Sequence, residues 1–132
     1  MIFIDASVFV AFGNEKDVHH KRALNLFEEI EKGRYGLHFT SDYIFNETIG
    51  VINRKVSREK AILLGDHIKE STLIINITNE ILDNTWTIFK ESKDKLSLVD
   101  CSIVTVMELE KIEYLATFDK EFSKIETLKI IH

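Results

Sequence analysis

Short runs of β-branched and aromatic residues alternate along this chain with longer segments of helical period, and that alternation is the sequence pattern of βαβ units around a mostly parallel sheet. Five runs read as strands, at about 2–5, 37–40, 73–77, 113–117 and 128–131. Between them lie amphipathic segments with recognisable ends. Residues 17–32 place Ala23, Leu24, Phe27 and Ile30 on one face and stop at Gly33, and Ser41 caps a helix reaching about Arg54. Ser57 and Thr78 cap the next two. A last helix spans about 97–110 with Val99, Ile103, Val106 and Met107 inward. The run at 73–77 is the weakest and is expected at a sheet edge, while Trp86 and Phe89 read as core.

With 132 residues, 45% of them hydrophobic, the chain is one domain that buries its own core, and no repeat or second domain is visible. A single cysteine excludes a disulfide scaffold and points to a reducing, cytoplasmic setting, and the absence of proline excludes Pro-rich linkers. The apolar opening, 1–12, is broken by Asp5, has no basic leader and is far short of the ~20 residues that span a bilayer. Seventeen basic against 22 acidic residues leave a net charge of −5, so a nucleic acid has to be held locally rather than by bulk attraction.

Most acids belong to solvated faces, as Glu28, Glu29 and Glu31 illustrate. Asp5, Glu47 and Asp100 differ, each being the lone charge in a run that otherwise reads as core; a fourth, Asp119, directly follows the strand around Leu115. A carboxylate among apolar groups costs several kcal/mol unless it is paired, hydrogen-bonded or bound to a metal. In an open α/β sheet these four positions all fall near the carboxyl ends of strands, where ligands bind. Together they would repel one another unless a divalent cation joined them, and all-oxygen donors select Mg²⁺ or Mn²⁺, the equipment of phosphodiester hydrolysis. Each has a plainer reading. Asp5 can cap a short following helix, Asp100 completes a capping box with Ser97, Glu47 can pair with Arg54 or Lys55, and Asp119 can turn the chain.

The opening Asp5-Ala6-Ser7, the Glu47 of Thr40 to Glu47, the Leu96-Ser97-Leu98-Val99-Asp100 helix start and the Thr117, Asp119, Phe122 pattern, in that order over the whole chain, resemble the PIN-domain nucleases. The likeness is greatest to their small stand-alone VapC-type toxins. It implies an α/β, single PIN-like domain over residues 1–132, the nuclease domain alone, with about five mostly parallel strands flanked by helices. It further implies a Mg²⁺- or Mn²⁺-dependent ribonuclease, the toxin of a toxin–antitoxin pair, with metal on Asp5, Glu47, Asp100 and Asp119, and with Ser7 and Thr117 orienting carboxylates or waters. Homodimerisation and a small antitoxin partner come with the same resemblance. Ala6 departs from the family, which commonly has a hydroxyl residue there, as do the larger Val106 and Met107.

For RNA phosphates the sequence offers Arg54, Lys55, Arg58 and Lys60, and then Lys93 and Lys95; as charge runs, both sets also read as solvated turns. His19 and His20 read as the start of an exposed helix, and Cys101 as a small buried hydrophobe. Two other classes compete. One is a receiver-like phospho-acceptor domain, which would need a paired acidic motif where Ala6 and Ser7 follow Asp5. The other is a catalytically inactive PIN-fold binding module, against which the four intact carboxylates stand.

Overall fold

The computed structural model describes residues 1–93 and 95–132. Five parallel strands form one sheet: β1 (Ile2–Ile4), β2 (His38–Ser41), β3 (Leu73–Ile75), β4 (Tyr114–Ala116) and β5 (Lys129–Ile131). Their spatial order is β3-β2-β1-β4-β5. All five expected strands are present, shorter by one or two residues at some ends. The 73–77 run is an edge strand, with Leu73 half exposed.

Six α-helices connect the strands among the described residues: α1 (Ala6–Gly13), α2 (His20–Glu31), α3 (Asp42–Lys55), α4 (Arg58–Ser71), α5 (Asn79–Glu91) and α6 (Leu98–Leu109). The caps read from sequence form as expected: the hydroxyls of Ser41, Ser57, Thr78 and Ser97 each accept from a backbone N–H three residues on. Gly33, just past α2, takes φ +79°, a region open to glycine without strain.

Helix α1 has no amphipathic stripe to betray it. Ala6, Val8, Phe9 and Ala11 are buried and Val10 and Phe12 pack against the same core, so the segment is apolar nearly all round. Helix α2 starts at His20, not at 17, because Asp17 turns the chain first: its Oδ1 accepts from His19 N–H at 2.8 Å and its carbonyl from His20 N–H. Within α2 the buried set is Ala23, Leu26, Phe27 and Ile30, while Leu24, expected inward, is 43% exposed. Trp86 and Phe89 are likewise not core. α5 turns Ile81 and Thr85 inward, leaving Trp86 49% and Phe89 39% exposed and stacked on each other, with centroids 5.7 Å apart.

Strand order reverses direction at β1, the central strand, whose Ile2, Phe3 and Ile4 are fully buried as a strand covered on both faces requires. From β1 the chain steps outward to β2 and β3 on one side, and later to β4 and β5 on the other. The crevice beyond the carboxyl ends of β1 and β4 is therefore the topological switch point. Asp5 leaves β1 there, and Thr117 to Asp119 leave β4.

Candidate functional site

A cavity of about 350 Å³ opens at this switch point, walled by Asp5, Ser7, Glu47, Asp100 and Asp119 among others. Four carboxylates widely separated in sequence thus reach one volume from the end of β1, from α3, from α6 and from beyond the end of β4. The same wall holds a fifth acid, Asp17, together with His19 and Phe118, and, among the described residues, no Lys or Arg.

Asp5 is the most tightly held. Its Oδ1 accepts from Ala6 N–H at 2.7 Å, and its Oδ2 accepts from the Ser7 hydroxyl at 2.6 Å and the Thr117 hydroxyl at 2.8 Å. Both hydroxyls are oriented from behind by backbone: Phe118 N–H donates to Ser7 Oγ and Asp119 N–H to Thr117 Oγ1, each at 3.0 Å. With one proton apiece, committed to Asp5, the two hydroxyls act toward these N–H groups as acceptors; Ser7 lines the cavity and Thr117 is buried behind Asp5. The pieces of the D-x-S and T-x-D patterns are thus one hydrogen-bonded unit, tying β1 to β4 across the switch point.

Burial dominates the electrostatics. It pushes the Asp5 carboxyl above its ordinary range, against the three hydrogen bonds that pull it down, and the Asp100 charge adds to the rise. Glu47 is pushed up by partial burial and then by the charges of Asp5 and Asp100. Asp100 also raises the Cys101 thiol, after burial, in keeping with an inert buried hydrophobe.

The plainer roles of the carboxylates are present alongside. Asp5 caps α1, Asp100 completes the capping box by accepting from Ser97 N–H at 2.7 Å, and Asp119 caps a short 3₁₀ turn, Lys120–Lys124, by accepting from Glu121 N–H. Capping occupies one oxygen of Asp100 and one of Asp119, and it orients the carboxyl without consuming it. Glu47 forms no ion pair with Arg54 or Lys55 among the described residues.

An acid cluster whose cavity no Lys or Arg lines among the described residues, with two members driven toward protonation by burial and by nearby like charge, is a donor set that suits a hard divalent cation. Among the described residues no three of these groups converge tightly enough to form a ready-made three-ligand site. The set is open, which fits an ion that keeps several of its waters, as Mg²⁺ does.

The cations named from sequence stand elsewhere. Arg54, Lys55, Arg58 and Lys60 are exposed around the α3–α4 turn, with Lys55 and Lys60 on the rim of a separate cavity of about 570 Å³, and Lys93 and Lys95 are exposed ahead of α6. None lines the acidic cavity. His19 and Asp17 line the acidic cavity although nothing in the sequence singled them out. They lie in a polar stretch, Asn14 to His20, where neither an acid nor a histidine stands out; the only available signal was their place just ahead of an amphipathic helix. His19 is stacked on Phe118 at 4.6 Å, and His20 instead turns back to the Ala11 carbonyl.

The family model described as PIN domain matches residues 2–128. The 23S rRNA-specific endonuclease VapC20 of Mycobacterium tuberculosis is 27% identical over 126 residues, 93% of this chain and 92% of that protein. Its crystal structure, described as a Sarcin-Ricin loop cleaving toxin, superposes with a TM-score of 0.85 at 22% identity over 98% of both chains. VapBC2 from Rickettsia felis, solved bound to a DNA fragment from its promoter, gives 0.71 at 18% identity, covering 99% of this chain and 98% of that one. At these identities the structural matches speak for the fold.

Proposed function

This chain belongs to the PIN-domain family, and on that premise we propose that it is a metal-dependent endoribonuclease, the toxin of a toxin–antitoxin pair. The observation that carries the reading is the convergence of Asp5, Glu47, Asp100 and Asp119 on one cavity that, among the described residues, no Lys or Arg lines. A receiver-type phospho-acceptor falls away with the family assignment. An inactive binding module has no use for a buried Asp5 carboxylate and a neighbouring Glu47 whose pKa values are both raised by the charges around them.

Asp5, Glu47, Asp100 and Asp119 would hold Mg²⁺ or Mn²⁺. The ion, when bound, supplies charge stabilisation for the phosphoryl oxygens and acidifies a water enough to make it a nucleophile at neutral pH. The chain's own residues do the rest. Asp5 is held in one orientation by Ala6 N–H, Ser7 and Thr117, so its carboxylate needs no reorganisation when substrate arrives. Asp100 and Asp119 are fixed at helix starts by Ser97 N–H and Glu121 N–H, each leaving an oxygen for the cavity. Glu47, exposed and without a capping bond of that kind among the described residues, is the group best placed to accept a proton from water.

The relatives' VapC and VapBC names support a small antitoxin as partner. A homodimer is supported by the exposed Trp86 and Phe89 pair, an apolar surface of the kind that partners cover. No helix among the described residues is long and apolar enough to cross a membrane, and the reading places the protein in the cytoplasm with its RNA substrate.

Purified protein incubated with ribosomal RNA should cut it in Mg²⁺ or Mn²⁺ and stop in excess chelator, and Asp119→Asn should be inactive at an unchanged melting temperature. Full cleavage in chelator, or by Asp119→Asn, would contradict the proposal.

A further inference from the structure

A second cavity, of about 300 Å³, lies beside the acidic one and shares His19, Phe118 and Asp119 with it as a common wall. Apart from the shared Asp119, its charged lining is basic. Arg22, Lys120 and His132 line it, and the shared His19 faces both volumes. We propose that this cavity is the substrate subsite for the nucleotide next to the scissile one, with Arg22 and Lys120 binding its phosphate; the inference rests on the ribonuclease reading above.

Three observations carry it. A polyanion brought to a protein of net charge −5, and to a cavity lined by five acids, needs cations immediately beside that cavity. Among the residues lining the two cavities, Arg22 and Lys120 are the arginine and the lysine, and both line the second. Neither makes an ion pair among the described residues, so their charge is available to a ligand.

The guanidinium is also held in place. Arg22 sits 5.3 Å from the centre of the Phe118 ring, while His19 stacks on the same ring at 4.6 Å. Phe118 is itself anchored, its N–H donating to the Ser7 hydroxyl that orients Asp5. One residue thus links the carboxylate network to the cationic shelf, setting the distance between the two subsites in rigid structure. A phosphodiester chain has that requirement, because its neighbouring phosphates are joined through one ribose. Arginine suits the role through its planar pair of donors, lysine as a point charge.

The test uses a fluorescently labelled single-stranded RNA of mixed sequence, with anisotropy measured in the Asp5→Asn background, where cleavage is expected to be lost, and initial rates measured in Mn²⁺ with the unsubstituted background. Arg22→Gln and Lys120→Gln should each weaken binding about tenfold, the scale of one charge-assisted hydrogen bond. They should also lower the slope of log affinity against log salt by about 0.7, the amount expected for one phosphate no longer neutralised. In the rate measurement KM should rise and kcat at saturating RNA stay within about twofold, since these cations hold the phosphate equally in ground and transition states. Lys69→Gln, an exposed α4 lysine lining neither cavity, should match its parent throughout.

Unchanged affinity, salt slope and KM in both variants, with the parent binding and cutting RNA, would overturn the subsite and leave the ribonuclease reading standing. RNA neither bound nor cut by the parent protein would overturn that reading and the subsite with it.

Discussion

Asp5→Asn should lose RNA cleavage by about a thousandfold or more, since on the proposed mechanism several kcal/mol of transition-state stabilisation depend on an ion that Asp5 would hold, and yet the metal-free variant should melt above the unsubstituted protein at neutral pH. The fold tolerates the change because asparagine keeps the shape. Its Oδ1 can accept from Ala6 N–H, and its amide can donate toward the Ser7 and Thr117 oxygens, each of which has a second lone pair beyond the one used by Phe118 or Asp119 N–H. The gain has a definite sign. Burial and the Asp100 charge raise the Asp5 pKa, so the folded protein takes up that proton at a higher pH than the unfolded chain does. Stability of the metal-free protein therefore falls as pH rises from the acid range, where both states are protonated, through the raised folded value. Removing the carboxylate removes that loss, and the gap between variant and parent should close on acidification. Thermal melts from about pH 4 to 8 in chelator, paired with cleavage assays, check both halves; a variant that is inactive because it unfolds would contradict the explanation.

The second large effect belongs to the hydroxyl pair. Ser7→Ala combined with Thr117→Val leaves Asp5 with the Ala6 N–H as its remaining partner and strips Phe118 and Asp119 N–H of their acceptors. Loss of groups that orient a metal ligand typically costs about 10- to 100-fold each, so the double variant should fall by about 10²- to 10⁴-fold in kcat. Both hydroxyls lower the Asp5 pKa in the native protein. Their removal should therefore move the acidic limb of the pH–rate profile to higher pH, a displacement that mere loosening of the fold would not produce. Thr117→Ser, which keeps the donor, should restore most of the rate. An unshifted acidic limb in the double variant would show that the hydroxyls do not act through Asp5.

Much of this architecture is legible in the sequence because local chemistry and tertiary role agree. Ser41, Ser57, Thr78 and Ser97 stand where a cap is needed, and Ile2 to Ile4 is apolar on both faces because β1 is covered on both. The site is legible by contrast: Asp5, Glu47 and Asp100 are conspicuous as lone charges in apolar runs. That criterion finds no acid in polar surroundings, so Asp17 escapes it although it lines the same cavity. Helix α1 shows in the sequence only as the short segment Asp5 could cap, because apolar residues on nearly every side erase its period. Trp86 and Phe89 mislead because size and hydrophobicity suggest core, whereas the face α5 turns inward is set by Ile81 and Thr85, the latter bonded to Thr105 of α6 at 3.1 Å. The cations mislead for a related reason. Density along the chain singles out Arg54 to Lys60, but the basic groups next to the acidic cavity, Arg22 and Lys120, stand near opposite ends of the sequence and come together only in the fold.

The central claim is that carboxylates from four separate elements act as one metal centre, and calorimetric titration of Mn²⁺ into the purified protein tests it most directly. The unsubstituted protein should bind Mn²⁺ and release protons as it does so, because Asp5 and Glu47 hold protons above the usual carboxylate range. Asp5→Asn, Glu47→Gln, Asp100→Asn and Asp119→Asn should each weaken that binding about tenfold or more. Absence of Mn²⁺ binding to the unsubstituted protein, or affinity unchanged in all four variants, would contradict the account.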